Sequence, residues 1–203
     1  GLDPEMFPVR FSGEVPKFSV DQHLKRHCEV RSERSVQMGL VAGRDALLQA
    51  GFIDDTDSLI RSSLRIEAIL GSAAGSCGEY EMGYQRFYER GPRAVQPATI
   101  PKLMFNALSA NISIYFGLIG QNLVIGSACT AGASAISMAT QLIRHGYADI
   151  VLAGGAESCF SPAIFSFWTC LGVLANSTEP SEACRPFDRR RNGMVLSEGA
   201  GAI

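Results

Sequence analysis

Of the six cysteines in this 203-residue sequence (Cys28, Cys77, Cys129, Cys159, Cys170 and Cys184), one stands where chemistry is possible. In LVIGSACTAGASAIS, residues 123–137, an apolar run stops at Gly126, and Cys129 follows just as the pattern turns helical and very small. The first amides of a helix are unpaired and its dipole is positive there. That end favours a thiolate and supplies donors for a developing oxyanion. Ala128, Ala131, Gly132 and Ala133 leave space for an acyl group to approach. This is how a strand–turn–helix elbow presents a nucleophile. A cysteine in an apolar stretch also fits plain packing, because free cysteine is among the most buried residue types. On these residues alone both readings stand. Cys77, Cys159, Cys170 and Cys184 lack such a setting and read as structural or incidental.

Other chemistry-bearing stretches are weaker. HLKRHC brings His23, His27 and Cys28 together, but has neither the glutamate of a zinc-protease helix nor a second ligand pair. No metal site is expected. GSAAGSCG (71–78) and AGGAES (153–158) follow strand patterns, yet neither matches G-x-G-x-x-G or continues into G-K-[ST]. Close backbone packing at strand ends explains their glycines better than a phosphate cradle. The basic residues of KRHCEVRSER and of Arg189–Arg191 fit solvated loops or a local patch for an acidic partner, and charge counts do not choose between them.

The elements that must hold Cys129 follow from periodicity. From Arg34 the pattern is helical, with Val36, Leu40, Val41, Leu47 and Leu48 on one face and Gly51 as terminator. RIEAILGS (65–72) reads as a buried strand. GEYEMGYQRFYERG reads as an amphipathic helix with aromatics at 80, 84, 87 and 88. Pro101 opens the apolar helix KLMFNALSANISIYFG. NLVIGSA (122–128) is a strand, and Thr130–His145 a helix small enough to be buried all round and closed by Gly146. ADIVLAGGAES (148–158) is a strand, and MVLSEGAGAI begins another. Short apolar strands alternating with helices predict an α/β layered fold with a mostly parallel sheet.

Composition agrees with one globular domain, at most two: 46% of residues are hydrophobic and the net charge is −2. Neither nucleic acid nor an anionic membrane is favoured by that charge. No apolar stretch approaches the roughly 18–20 residues of a membrane span, and no signal peptide is visible. Cysteines without a C-x-x-C pair in a chain of this size suit reduced thiols, and so a cytoplasmic setting.

GSACTAG around Cys129, ADIVLAGGAES, and RPFDRRRNGMVLSEGAG stand in an order and spacing that resemble the β-ketoacyl-[acyl-carrier-protein] synthases. VRFSGEVPKF near the start and GPRAVQP (91–97) fit the same pattern, so the resemblance covers nearly the whole chain. It is strongest to the elongating condensing enzymes of type II fatty acid synthesis and the ketosynthases of polyketide-type pathways. It implies a thiolase-like fold, layered α/β/α with a mixed, mostly parallel sheet. On that reading residues 1–203 are an incomplete first half, truncated at both ends. A central first strand would lie upstream of Gly1, and a second half would carry two histidines and the other oxyanion donor. His23, His27 and His145 do not match those histidines, and His145 reads as a helix C-terminal residue.

The implied chemistry is decarboxylative Claisen condensation. Cys129 takes an acyl chain as a thioester, and a malonyl thioester loses carbon dioxide and attacks it. No cofactor is implied beyond the phosphopantetheine of acyl carrier protein or coenzyme A that carries the substrates. Ala74, Ala98, Thr99 and Trp168 match acyl-pocket positions, with the first three smaller than usual, which implies room for a longer or bulkier chain. Arg93, and in uncertain register Arg31 and Arg34, match positions that bind the carrier protein. The strand near Leu123–Ser127 implies a homodimer. A non-catalytic partner subunit of a ketosynthase pair, another thiolase-fold enzyme, and a fragment inactive by itself are the competing readings.

Overall fold

The computed structural model describes residues 6–9, 11–26, 33–177 and 179–203. The expected alternation is present. Helix α1 (Arg34–Gln49) precedes strand β1 (Glu67–Gly71), then helices α2 (Cys77–Arg90), α3 (Thr99–Leu103) and α4 (Ala107–Phe116). Strand β2 (Asn122–Ile125), helix α5 (Ala131–Arg144), strand β3 (Val151–Glu157), helix α6 (Pro162–Cys170) and strand β4 (Gly199–Ala202) complete it. Among the described residues the sheet order is β2-β1-β3-β4, parallel except for the antiparallel β3–β4 pair.

The two faces of this sheet are packed by different means. Helices α1 and α4 cover one face with large side chains. Leu40, Leu47 and Ile112 are fully buried there against Ala68, Leu70 and Leu152, and each such side chain is worth about 1.5–3 kcal/mol of burial. Helix α5 covers the other face with almost none: Ala131, Ala135 and Ala139, one residue per turn, are its buried positions.

Two expectations need correction, the central added strand and the single helix after Pro101. The sheet takes no additional central strand, because β1 is hydrogen-bonded directly to β2 on one side and β3 on the other; a further strand can join only at an outer edge. Helix α5 packs one stripe on the sheet and leaves Ile136 and Ile143 exposed in this chain. Helix α2 leaves Tyr80, Tyr84, Phe87 and Tyr88 exposed and buries Cys77 and Glu79, and it packs on α3 and α6 rather than on the sheet. The apolar helix after Pro101 is two helices, parted at Met104–Asn106.

The N-terminal segment and the C-terminal strand are stitched together. The N–H of Gly13 donates to the Leu196 carbonyl at 2.9 Å, and that of Glu198 donates to the Gly13 carbonyl at 3.1 Å. Of the described residues, no helix is long and apolar enough to cross a membrane, and no group of three or more His, Cys, Asp or Glu could hold a metal ion. His27 and Cys28 lie outside the described residues. His145 is the C-cap of α5, its Nδ1 2.8 Å from the Gln141 carbonyl.

Candidate active site

The carboxyl ends of the parallel strands open into a cavity of about 1250 Å³, the side on which α/β sheets hold ligands. Cys129 stands in its wall. Strand β2 ends at Ile125, and a single 3-10 turn, Ala128–Thr130, leads into α5. The turn is sharp: Ala128 has φ +51°, in the left-handed region, at a cost on the order of 1–2 kcal/mol for a residue with a Cβ. Thr130 closes it, its N–H and its hydroxyl both donating to the Ser127 carbonyl, at 3.2 and 2.7 Å. The Ser127 hydroxyl donates to that of Ser134 at 2.9 Å, tying the turn to the first turn of α5. Cys129 is exposed, and its N–H has no hydrogen-bond partner among the described residues.

The glycines at the strand ends explain how α5 comes so close. A Cβ on Gly71 would overlap the carbonyl of Ala131, and one on Gly155 would stand 2.9 Å from the Gly71 carbonyl oxygen and 3.3 Å from Gly132 Cα. The helix backbone rests directly on β1 and β3. Backbone packing, not a phosphate cradle, is what these loops provide.

Of the other expected site residues, Ala74 and Trp168 share the cavity wall with Cys129. Trp168 also packs on the small cluster of Phe7, Cys77, Cys159 and Phe165. Ala98 and Thr99 are not in this wall. Thr99 is buried in α3, its methyl 3.4 Å from where a Cβ on Gly83 of α2 would lie. Arg93 is exposed on the 3-10 turn Pro92–Ala94 and makes no ion pair among the described residues. Arg34 is engaged internally: its Nε lies 2.8 Å from both oxygens of buried Glu198, and its Nη2 donates to the Val15 carbonyl. Its side chain stays 37% exposed beside that pair. Arg31 lies outside the described residues.

Cys159 also reaches the cavity wall, but it is buried. A hydrogen bond with the Cys77 thiol, reinforced by burial, pushes its pKa up, which disfavours the thiolate there.

Sequence reasoning missed four carboxylates. Glu157 accepts the N–H groups of Ala73 and Ala74. Glu198 joins Arg34, the N–H of Val15 and the Ser158 hydroxyl. Asp57 joins Arg44, Tyr115 and the N–H of Lys25. Burial pushes the pKa of Glu33 up to about 7, against the lowering effect of the Gly78 N–H. A charged residue at the end of an apolar strand was the available signal for Glu157, and one directly before a strand for Glu198.

Comparison with known proteins bears on this arrangement. The family described as "Beta-ketoacyl synthase, N-terminal domain" matches residues 5–203. The chain belongs to the β-ketoacyl synthase family. The 3-oxoacyl-[acyl-carrier-protein] synthase 2 of Vibrio cholerae serotype O1 is 34% identical to it over 203 residues, 100% of this chain and 48% of that one. A solved β-ketoacyl synthase from Burkholderia phymatum STM815 superposes with a TM-score of 0.80 at 28% identity, over 97% of this chain and 47% of its own. A type II polyketide ketosynthase, solved with its acyl-carrier protein and bound to the hexaketide, superposes at 0.75 and 25% identity, over 86% of this chain and 44% of its own. The chain thus spans about half the length of the synthases it matches and shares their thiolase-like fold.

Proposed function

We propose that this chain is the N-terminal half of a condensing acyltransferase in which Cys129 is the acyl acceptor. One observation carries the reading: an exposed thiol on a strained turn at the head of α5, in the wall of an apolar cavity, beside a backbone N–H without a partner among the described residues. The Cys129 sulfur attacks the carbonyl of an acyl thioester as its thiol proton is given up, the carbon–sulfur bond to the carrier breaks, the carrier sulfur leaves and takes up that proton, and the acyl group stays on Sγ. The Cys129 N–H faces the oxyanion that forms in between. A malonyl thioester then loses carbon dioxide, and its carbanion displaces Cys129 to give a 3-ketoacyl thioester two carbons longer. Ala74 and Trp168 border the acyl chain, and Ala98 and Thr99 shape it from outside this wall. Acyl carrier protein is the partner, met by Arg93, and the substrates ride on its phosphopantetheine or on coenzyme A.

A homodimer through β2 is part of the same reading. Strand β2 is at the sheet edge, paired on one side only among the described residues, and such an edge is a template for a second strand.

Intact-protein mass spectrometry after incubation with an acyl-coenzyme A tests the proposal. The gene product should gain one acyl mass, lost in Cys129→Ala and kept in Cys159→Ala. An adduct that survives Cys129→Ala, or no adduct at all, overturns it.

A further inference from the structure

The loop that follows β1 is held by a carboxylate of the protein. Gly155 of β3 stands beside Gly71 of β1 in parallel register. Glu157, two residues on and on the same face, therefore reaches the backbone just beyond Gly71. Its Oε2 accepts the N–H of Ala73 at 2.6 Å, the N–H of Ala74 at 3.1 Å and the Ser72 hydroxyl at 3.3 Å. That hydroxyl in turn accepts the N–H of Gly75 at 3.0 Å. Successive amides converging on one anion at a strand end is how glycine-rich loops hold phosphate. Here the anion is Glu157, and its other oxygen is buried with no hydrogen-bond partner among the described residues.

Ala73 and Ala74 are themselves exposed, so hydrogen bonds rather than burial hold this stretch. Ser72, Ala73, Ala74 and Glu157 share a cavity wall with Cys129. We propose that Glu157 is a positioning residue for the acyl-binding wall: by holding the turn from Ser72 to Gly75 it sets how far Ala74 stands into the cavity, and so which acyl chain lengths are accepted. This rests on the reading of Cys129 as acyl acceptor.

The test uses the intact gene product and a series of straight-chain acyl-coenzyme A thioesters, with the rate of Cys129 adduct formation read for each length. Glu157→Gln keeps the reach and one acceptor oxygen, and its ratio of long-chain to short-chain rates should stay within about twofold of the parent. Glu157→Asp and Glu157→Ala withdraw the acceptor, and should shift that ratio by about tenfold, the scale on which a pocket tells one methylene from another. Hydrogen exchange on the unaltered protein supplies a reading that does not depend on variants folding: the Ala73 and Ala74 amides should be protected although their residues are exposed.

An unchanged ratio in folded Glu157→Asp and Glu157→Ala overturns the proposal. So does exchange of Ala73 and Ala74 at the rate of an open loop. If Cys129 of the parent is labelled by no chain length, the acyl-acceptor reading fails instead, and exchange at Ala73 and Ala74 still decides whether Glu157 holds the turn.

Discussion

Arg34 lies against Glu198 with its Nε 2.8 Å from both carboxylate oxygens, across 164 residues of chain. The Glu198 side chain is fully buried and Arg34 is 37% exposed. Among the described residues, removing the cation leaves a buried carboxylate supported only by the Val15 N–H and the Ser158 hydroxyl. Arg34→Met should therefore lower stability by about 2–3 kcal/mol, less than for a wholly buried pair. Denaturant titration of the intact gene product measures it.

Gly71 and Gly132 make a matched comparison. A methyl at Gly71 would strike the backbone of α5, whereas one at Gly132 meets nothing within 4 Å. Gly71→Ala should cost about 1–3 kcal/mol by overpacking and slow acylation of Cys129 as the head of α5 is pushed back. Gly132→Ala should leave stability within about 0.5 kcal/mol. Thermal melts and adduct kinetics on both variants check the contrast.

Arg93 is the exposed cation assigned to the carrier protein, and rim charges act mainly through association rate and salt dependence. Arg93→Glu should weaken carrier-protein binding about tenfold at low ionic strength, with the difference shrinking as salt is added. Unchanged affinity in surface-plasmon titrations would remove Arg93 from the interface.

Glu33 makes stability fall as the solution becomes basic. Its pKa is pushed up to about 7 in the folded chain, first by burial. A raised pKa means the folded state holds the proton more tightly than the unfolded one. The contribution is thus fully present below the ordinary value of 4.5 and is lost as pH rises through about 7. Glu33→Gln should flatten the decline in melting temperature between about pH 5 and 8.

Asp57 acts in the opposite sense. Burial opposes its ionisation, but the Lys25 N–H, the Tyr115 hydroxyl and Arg44 outweigh burial and hold its pKa below the ordinary 3.8. Its contribution is present above that value and is lost as pH falls through the folded one. Asp57→Asn should cost about 2–3 kcal/mol at neutral pH by leaving Arg44 only its longer, exposed pair with Asp45 at 3.7 Å, and should weaken the acid limb of the stability profile. Denaturant midpoints at several pH values read both effects.

What the sequence determined by itself is local or motif-borne. The helix from Arg34, the strand before Gly71, the strand–turn–helix around Cys129 and the family pattern all rest on neighbours in the chain, where periodicity and short motifs are informative. It could not say which side of an amphipathic helix would meet its neighbours in this chain: α2 packs Cys77 and Glu79 inward, and α5 lays Ala131, Ala135 and Ala139 on the sheet. Nor could it say that β1 would pair on both sides, or that Arg34 would meet Glu198. Only the tertiary structure decided these, and with them the role of Glu157, whose carboxylate meets the amides of residues 84 and 83 positions earlier in the chain. A charge finds its partner by where the sheet brings two strand ends together, and no local pattern encodes that meeting.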